Sequence, residues 1–323
     1  MPFLLSLLTV LAASGAERQS VLVVVGAPGR DEYRERFLAW AGRWEQAAAR
    51  GHAEFARIGL DDAPQAEDKE RLRAALQQMP KKSAEPLWLV LLGHGTYDGQ
   101  SAKFNLRGPD LTAEELAGWL KPFDRPLAIL NCTSASAPFL RPLAGPGRAV
   151  VTATKSGFEY NFARFGEYLS AAIQDEKADL DKDAQTSLLE AFLAAAAGVQ
   201  EFYAQDARLA TEHALIDDNG DGLGTPADWF RGVRAVRSAK YGALPDGLLA
   251  SQLCLVRSQQ EQAMTAGIRA RRDALEQAIA RLRRDKPRYA EEDYYRRLEA
   301  LLLELARLYE QAESPRGPSP GER

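Results

Sequence analysis

Two stretches of the chain decide its fold: LWLVLLGHG, from Leu87 to Gly95, and LAILNCTSAS, from Leu127 to Ser136. Each is a short apolar run that ends in small or polar residues, which is typical of a buried strand followed by a loop. In an open α/β sheet, residues just beyond the ends of adjacent parallel strands converge on one crevice. We therefore expect His94 and Cys132 to meet at that edge of the sheet.

Short apolar runs also alternate with longer periodic segments on either side of this pair, until the pattern becomes less regular after Ala197. Thr112 and Glu115 match a capping box, which predicts the start of a helix between the two strands. The alternation predicts an α/β fold with a mostly parallel sheet. Strands are predicted at 21–25, 55–60, 87–92, 127–130 and 149–153, and helices at 31–50, 66–79, 112–120 and 161–174.

His94 and Cys132 make chemical sense as a pair. A thiol is a useful nucleophile only as the thiolate, and a neighbouring imidazole can take its proton or lower its pKa. Gly95 leaves room for a substrate to approach the backbone, and its amide and that of Cys132 could form an oxyanion hole.

A strand ending in His-Gly, then a helix, then a strand ending in a Cys flanked by small residues resembles the clan of caspases, legumains, gingipains and separases. The resemblance covers roughly Val21 to Ile173. It implies a caspase-like three-layer sandwich and a cysteine endopeptidase that needs no cofactor. In that activity His94 would protonate the leaving group, and Cys132 would form the acyl-enzyme with a peptide or protein substrate.

The sequence departs from the clan pattern around the cysteine. Asn131 precedes Cys132 where Ala or Gly is common, and Thr133 to Ala135 follow in place of a glycine-containing turn. The motifs assign no acidic or basic residue to a specificity pocket, but the position of Lys155, Glu159 and Asn161, just beyond the fifth strand, predicts that they line it.

A second function class remains open from the sequence. A Cys after a core strand is often a small buried hydrophobe, and a Gly-His-Gly turn can be structural. The chain would then be a catalytically inactive caspase-like module that binds a protein partner. A disulfide between Cys132 and Cys254 is the alternative to a free thiol, and His52 and His213 are expected to be surface or capping residues.

Two acidic stretches suggest structural Ca²⁺, because their oxygen-bearing side chains match EF-hand spacing. The first lacks the usual glycine, since Ala184 stands at its sixth position, and the second carries Gly224 and Pro226 where an exiting helix would begin. Both could instead be Asp-rich turns that cap backbone amides. The predicted ligands are Asp179, Asp181, Asp183 and Glu190 in the first loop, and Asp217, Asn219, Asp221 and Asp228 in the second.

The amino terminus predicts export to the periplasm or the cell exterior. An apolar run from Pro2 to Ala13, followed by Ser14, Gly15 and Ala16, is typical of a signal peptide spanning residues 1–16. A mis-set start or a buried terminal helix are the alternatives. Nothing later approaches the ~18 to 20 apolar residues that span a bilayer, so no membrane span is expected after cleavage.

Beyond the predicted peptidase domain, residues 17–256, the chain becomes charged and almost free of glycine. Two leucine-rich stripes flank Pro287, which predicts a helical hairpin or coiled coil over 257–312 and a disordered tail over 313–323. The hairpin could serve self-association or a protein partner, or could simply pack on the main domain. With 41 basic and 45 acidic residues, the net charge is −4, and nucleic acid is not an expected partner.

Overall fold

The computed structural model describes residues 17–61, 66–237 and 239–313. The strands are β1 Ser20–Val25, β2 Glu54–Ile58, β3 Leu87–Leu92, β4 Gly95–Tyr97, β5 Ala102–Phe104, β6 Leu111–Thr112, β7 Leu127–Asn131, β8 Arg148–Thr152, β9 Leu215–Asp217, β10 Thr225–Pro226, β11 Phe230–Arg231 and β12 Arg234–Ala235. The α-helices are α1 Asp31–Arg50, α2 Asp68–Gln78, α3 Ala113–Leu120, α4 Leu140–Leu143, α5 Phe165–Ala172, α6 Leu188–Gln205, α7 Leu248–Gln252, α8 Gln259–Ala263, α9 Ala266–Arg284 and α10 Glu291–Glu313.

A seven-stranded mixed sheet forms the centre of the molecule, in the order β10-β9-β8-β7-β3-β1-β2. The strands β2, β1, β3, β7 and β8 run parallel, whereas β9 pairs antiparallel with β8, and β10 pairs antiparallel with β9. The predicted α/β class and the mostly parallel sheet are therefore confirmed.

Helices cover both faces of the sheet, because alternate side chains of each parallel strand enter different apolar clusters. Val21, Val23 and Val25 of β1 pack in the cluster that contains α1, α5 and α6. Leu22 and Val24 of the same strand pack in the cluster that contains α2, α3 and α4. This arrangement of two helical layers around a sheet is compatible with a three-layer sandwich.

Several short elements were not predicted from the sequence. After His94 the chain forms a small antiparallel sheet from β4, β5 and β6, and β9 and β10 extend the main sheet beyond the predicted strands.

Thr112 and Glu115 form the predicted capping box at the start of α3. A second capping box, between Ser187 and Glu190, starts α6.

The carboxyl-terminal helices form a hairpin on the main domain. Leu275, Ile279 and Leu282 of α9 are buried, and α10 packs along α9 with an ion pair between Arg271 and Glu304. A buried carboxylate on the main domain, Glu85, binds Arg269 of α9 at 2.6 Å. The predicted hairpin is present, and its first helix packs on the domain.

Two sequence predictions concern the ends of the chain, which the structure does not describe. The predicted signal peptide and residues 314–323 of the predicted tail lie outside the described residues. Within the described part of the chain, no helix is both long enough and apolar enough to cross a membrane.

We expect Glu85→Ala to destabilise the protein by about 3 kcal/mol, because removing one member of a buried ion pair leaves the other charge uncompensated. Glu85 is 3% exposed and pairs with both Arg257 and Arg269. Burial opposes its ionisation, but the two guanidinium groups outweigh burial and hold the pKa of Glu85 below its ordinary value. The free energy of unfolding in urea measures the loss.

Asp124→Ala is the matched control, since Asp124 pairs with Lys82 on the surface at 3.8 Å. Exposed pairs contribute little to stability. Equal losses in the two variants would contradict a structural role for the Glu85 cluster.

Candidate functional site

The ends of β3 and β7 lie side by side at the carboxyl edge of the parallel sheet. Leu91 of β3 is in register with Asn131 of β7, and the Cys132 amide donates a hydrogen bond to the Leu91 carbonyl at 2.9 Å. The sequence therefore predicted correctly that the residues after these two strands share one edge of the sheet.

The Cys132 thiol points into the core and not into the crevice. Its residue is 0% exposed and shares an apolar cluster with Ala128 and Leu130 of the same strand. The backbone of α5 covers it closely, because a Cβ built on Gly166 would lie 2.9 Å from the Cys132 Cβ. Burial, followed by the nearby Glu212 carboxylate, raises the pKa of the Cys132 thiol far above its ordinary value. The thiol is therefore not poised as a thiolate.

His94 is held by other partners. Its Nε2 lies 3.2 Å from the Pro28 carbonyl oxygen, and its ring packs against Tyr33, Phe37 and Phe162 at centroid distances of 4.8, 5.4 and 5.8 Å. Burial lowers the pKa of His94, against the opposing effect of the bond to Pro28. Within the described residues, no hydrogen bond joins His94 to Cys132.

The two amides predicted to form an oxyanion hole are already engaged. The Cys132 amide belongs to the sheet ladder, and the Gly95 amide donates to Ser134 Oγ at 3.3 Å. The predicted space at Gly95 is also filled, because a Cβ there would lie 2.2 Å from the Ser134 carbonyl oxygen and 2.8 Å from Thr133 Oγ1. In this arrangement neither amide is free to donate to a substrate oxyanion, so the oxyanion hole stays a prediction.

The sequence did not single out the hydroxyl residues that follow Cys132 as packing groups. Thr133 Oγ1 donates to Asn131 Oδ1 at 2.7 Å, and Ser134 Oγ lies 3.3 Å from the Gly95 carbonyl oxygen. The side-chain nitrogen of Asn131 is buried without a hydrogen-bond partner among the described residues. A run of small polar residues after a strand is the signal that could have identified this packed turn.

Of the three residues predicted to line a substrate pocket, Lys155 and Glu159 contact each other, with Nζ and Oε1 3.9 Å apart, and Asn161 does not join them. Lys155 lines a cavity of about 260 Å³ together with Glu212 and His213. Glu159 binds His213 Nδ1 at 2.6 Å and accepts the amide of Lys155 at 2.9 Å. Asn161 is exposed on the following loop. The prediction that His213 is a surface or capping residue therefore missed its ion-pair geometry with Glu159.

Glu212 is a buried carboxylate that sequence reasoning did not find. It accepts the backbone amides of Arg164 and Phe165 at the start of α5, each within 2.9 Å. The hydroxyl of Tyr203 also donates to it, at 3.3 Å. Burial raises the pKa of Glu212 despite these donors. The two amides that it accepts lie 48 and 47 residues away along the chain, so no local pattern reveals this contact.

Two exposed aromatic side chains lie beyond the carboxyl end of β8. Phe158 and Tyr160, on the loop after β8, are 71% and 72% exposed. The ring of Phe158 packs edge-on against Tyr97 at a centroid distance of 5.3 Å. We refer to Tyr97, Phe158 and Tyr160 as the aromatic rim.

The first acidic loop fits a cation in part. Carboxylate oxygens of Asp179, Asp181 and Asp183 lie within 4.8 Å of one another, and burial raises the pKa of both Asp181 and Asp183. Ala184 adopts a φ of 66°, so the alanine takes the left-handed conformation that glycine normally supplies. Glu190 does not join the three aspartates in that group, because its carboxylate accepts the amides of Leu180, Asp181 and Ser187.

The second acidic loop is less complete. Asp217 accepts the amides of Gly220 and Gly222 at 2.9 and 2.7 Å, and Asn219 and Asp221 accept amides within the same turn. Asp228 lies elsewhere, in the lining of the cavity beside Lys155. The side chains of this loop therefore cap its own backbone, as the turn alternative expected.

Both cysteines are free and buried, so the alternative of a disulfide between them is wrong. The backbone of Cys254 forms an isolated antiparallel bridge with Ser187.

We expect the imidazole of His94 to titrate below its ordinary pKa of about 6.5, because its aromatic surroundings disfavour the charged form. Phe162→Ala opens one side of the ring to water and raises the pKa toward that value. Two-dimensional NMR of the histidine rings across a pH series measures both.

Phe158→Ala is the control on the same loop, since Phe158 packs on Tyr97, and it leaves the His94 pKa unchanged. A His94 pKa above the ordinary value would contradict this account, because it would indicate an imidazolium paired with a thiolate.

The resemblance to caspases and legumains rests on the strand-end motifs and on the order of the elements. No protein-family model matches the chain, and no curated protein shows significant similarity to it.

Proposed function

We propose that this chain is a catalytically inactive relative of the caspase/legumain clan that binds a protein partner at the carboxyl edge of its sheet. The observation that carries the proposal is the enclosure of the Cys132 sulfur between the sheet and α5. A cysteine peptidase needs an accessible thiolate and a base within hydrogen-bond reach of it. The cysteine-endopeptidase alternative therefore requires a rearrangement of both side chains.

The packing around His94 supports the same conclusion. An imidazole that serves a thiol has one nitrogen free to take the proton. Here Nε2 bonds to the Pro28 carbonyl, which leaves Nδ1 as the nitrogen that could take a proton, but among the described residues no hydrogen bond joins it to the Cys132 thiol. Three aromatic rings pack against the side chain. His94 acts as a packing residue that fixes the loop after β1 against the loop after β3.

The aromatic rim is the surface that we assign to the partner. Tyrosine and phenylalanine are enriched in the centres of protein interfaces, because they bury a large area with few rotatable bonds. Phe158 and Tyr160 are uncharged, and each exposes most of a large aromatic ring to water. Glu159 between them ties the loop to His213, so the two rings are presented from an anchored backbone.

We expect peptides selected from a random display library on the wild-type protein to lose affinity for Phe158→Ser/Tyr160→Ser. Removing two interface anchors costs about 2 kcal/mol or more, which is about thirtyfold in the dissociation constant. Fluorescence anisotropy with labelled peptides measures the change.

Leu209→Ser is the control, because Leu209 is 91% exposed and lies outside the aromatic rim. Equal binding by both variants would contradict the assignment of the surface. Turnover of fluorogenic peptides by the wild type that disappears in Cys132→Ala would contradict the inactive module and restore the endopeptidase.

A second proposal concerns the first acidic loop, which we infer to hold structural Ca²⁺. The group formed by Asp179, Asp181 and Asp183 favours it, because Ca²⁺ prefers carboxylate oxygens and three unneutralised carboxylates repel one another. The loop joins α5 to α6, so an ion there would stabilise the connection between two helices of one layer. It has no part in thiol chemistry.

We expect CaCl₂ to raise the midpoint of thermal unfolding. The gain is about 2.7 kcal/mol when free Ca²⁺ exceeds its dissociation constant a hundredfold. Asp181→Asn removes most of the gain, whereas Asp98→Asn, in a surface turn, keeps it. Differential scanning calorimetry with CaCl₂ or EDTA measures the effect, and an unchanged midpoint in CaCl₂ would contradict the site.

A further inference from the structure

A basic surface stands out on a chain that is acidic overall. The segment 230–240 carries four basic residues and no acidic one, and the segment 281–288 at the end of α9 carries five basic residues and one acidic one. The five basic residues in 281–288 are all exposed. Basic residues in the last turn of a helix interact favourably with the negative end of the helix dipole. That interaction does not explain the basic residues in the segment 230–240, which lies outside α9.

The two segments meet across a groove of about 610 Å³. Arg234 stands on one side, and Arg283 and Arg284 stand on the other. The segment from Gly242 to Gly247 also lines the groove, and Arg284 is fixed to it by a hydrogen bond to the Gly242 carbonyl at 3.3 Å. Two separate elements therefore direct guanidinium groups toward one depression.

Most of the positive charge at the groove is not neutralised from within the protein. Asp285 pairs with Arg284 and Arg288, but Arg234 and Arg283 have no acidic partner among the described residues. Asp246 also lines the groove, but it is buried and its carboxylate accepts the amides of Asp218 and Asn219.

We propose that this groove binds an acidic peptide segment of a partner protein. The guanidinium groups match carboxylates, and the partly buried side chains of Val233, Leu244 and Leu248 on the groove walls match apolar side chains between them. A nucleic-acid backbone has no apolar side chains for these walls. Stacking of bases is also disfavoured, because Arg237 covers the nearby Trp229 ring at 4.5 Å. A flat bilayer surface does not enter a concave groove.

This site is separate from the aromatic rim. The rim lies beyond the ends of β3 and β8, whereas the groove lies between the β11–β12 hairpin and α9. Failure of peptide binding at the rim would leave this inference intact, and the reverse also holds.

The test uses the full chain and a fluorescein-labelled peptide that repeats Asp-Leu-Glu-Gly. We expect saturable binding, measured by anisotropy. The affinity should fall as salt is added, because salt screens the ion pairs between the peptide carboxylates and the exposed arginines of the groove. Arg234→Gln/Arg283→Gln weakens it about fivefold to tenfold. Arg73→Gln/Lys121→Gln removes the same charge from exposed positions elsewhere and changes the affinity by less than about twofold.

Three comparison probes decide the class of ligand. The matched peptide repeating Asn-Leu-Gln-Gly, single-stranded oligodeoxythymidine and vesicles containing phosphatidylglycerol are each expected to bind more weakly than the acidic peptide. No binding of the acidic peptide, equal losses in the two double variants, or tighter binding of the oligonucleotide or vesicles would overturn the proposal.

Discussion

The pairing of β3 with β7 determines what the candidate site can do. The ladder between them continues one residue past β7, through the bond from the Cys132 amide to the Leu91 carbonyl. Because side chains alternate along a strand, Cys132 takes the same face as Ala128 and Leu130, which is the face covered by α1 and α5. A single residue of extra pairing therefore turns a potential nucleophile into a core residue.

The layer above that face then closes the site. Gly166 lets α5 approach the sheet, since any larger residue there would meet both the Cys132 Cβ and the Trp40 ring. Phe162, just before α5, brings its ring to His94. The sulfur and the imidazole share one layer of the molecule, but each is occupied by different neighbours.

Much of this architecture could be predicted from the sequence. The parallel strands were located within two residues at either end, and α1 was predicted with the observed bounds, because long apolar runs and a twenty-residue amphipathic pattern are strong signals. The strands β4 to β6 and β9 to β12 are only two or three residues long, so they carry no readable alternation. The sequence predicts that His94 and Cys132 lie at one edge of the sheet. The orientation of their side chains depends on α5, which is distant from both along the chain. Continuing the alternation from Leu130 to Cys132 would have predicted the buried thiol.

The acidic residues show how the fold uses charge to hold its loops. Glu212, Glu190, Asp217 and Asp246 are buried, and each accepts backbone amides at a turn or a helix start. The two acidic loops share one device, in which the first aspartate accepts the amides of the fourth and sixth residues. In the first loop Lys182 and Ala184 take the left-handed conformation that Gly220 and Gly222 supply in the second. The same geometry thus arises from sequences that differ in glycine content.

Alkylation of the native protein by iodoacetamide tests the central claim most directly, with Cys254 as the internal reference because it is also buried. The account predicts that Cys132 and Cys254 react at similar slow rates that follow global unfolding as urea is added. Fast, selective modification of Cys132 in the native state, abolished by His94→Ala, would show an accessible thiolate and contradict the account.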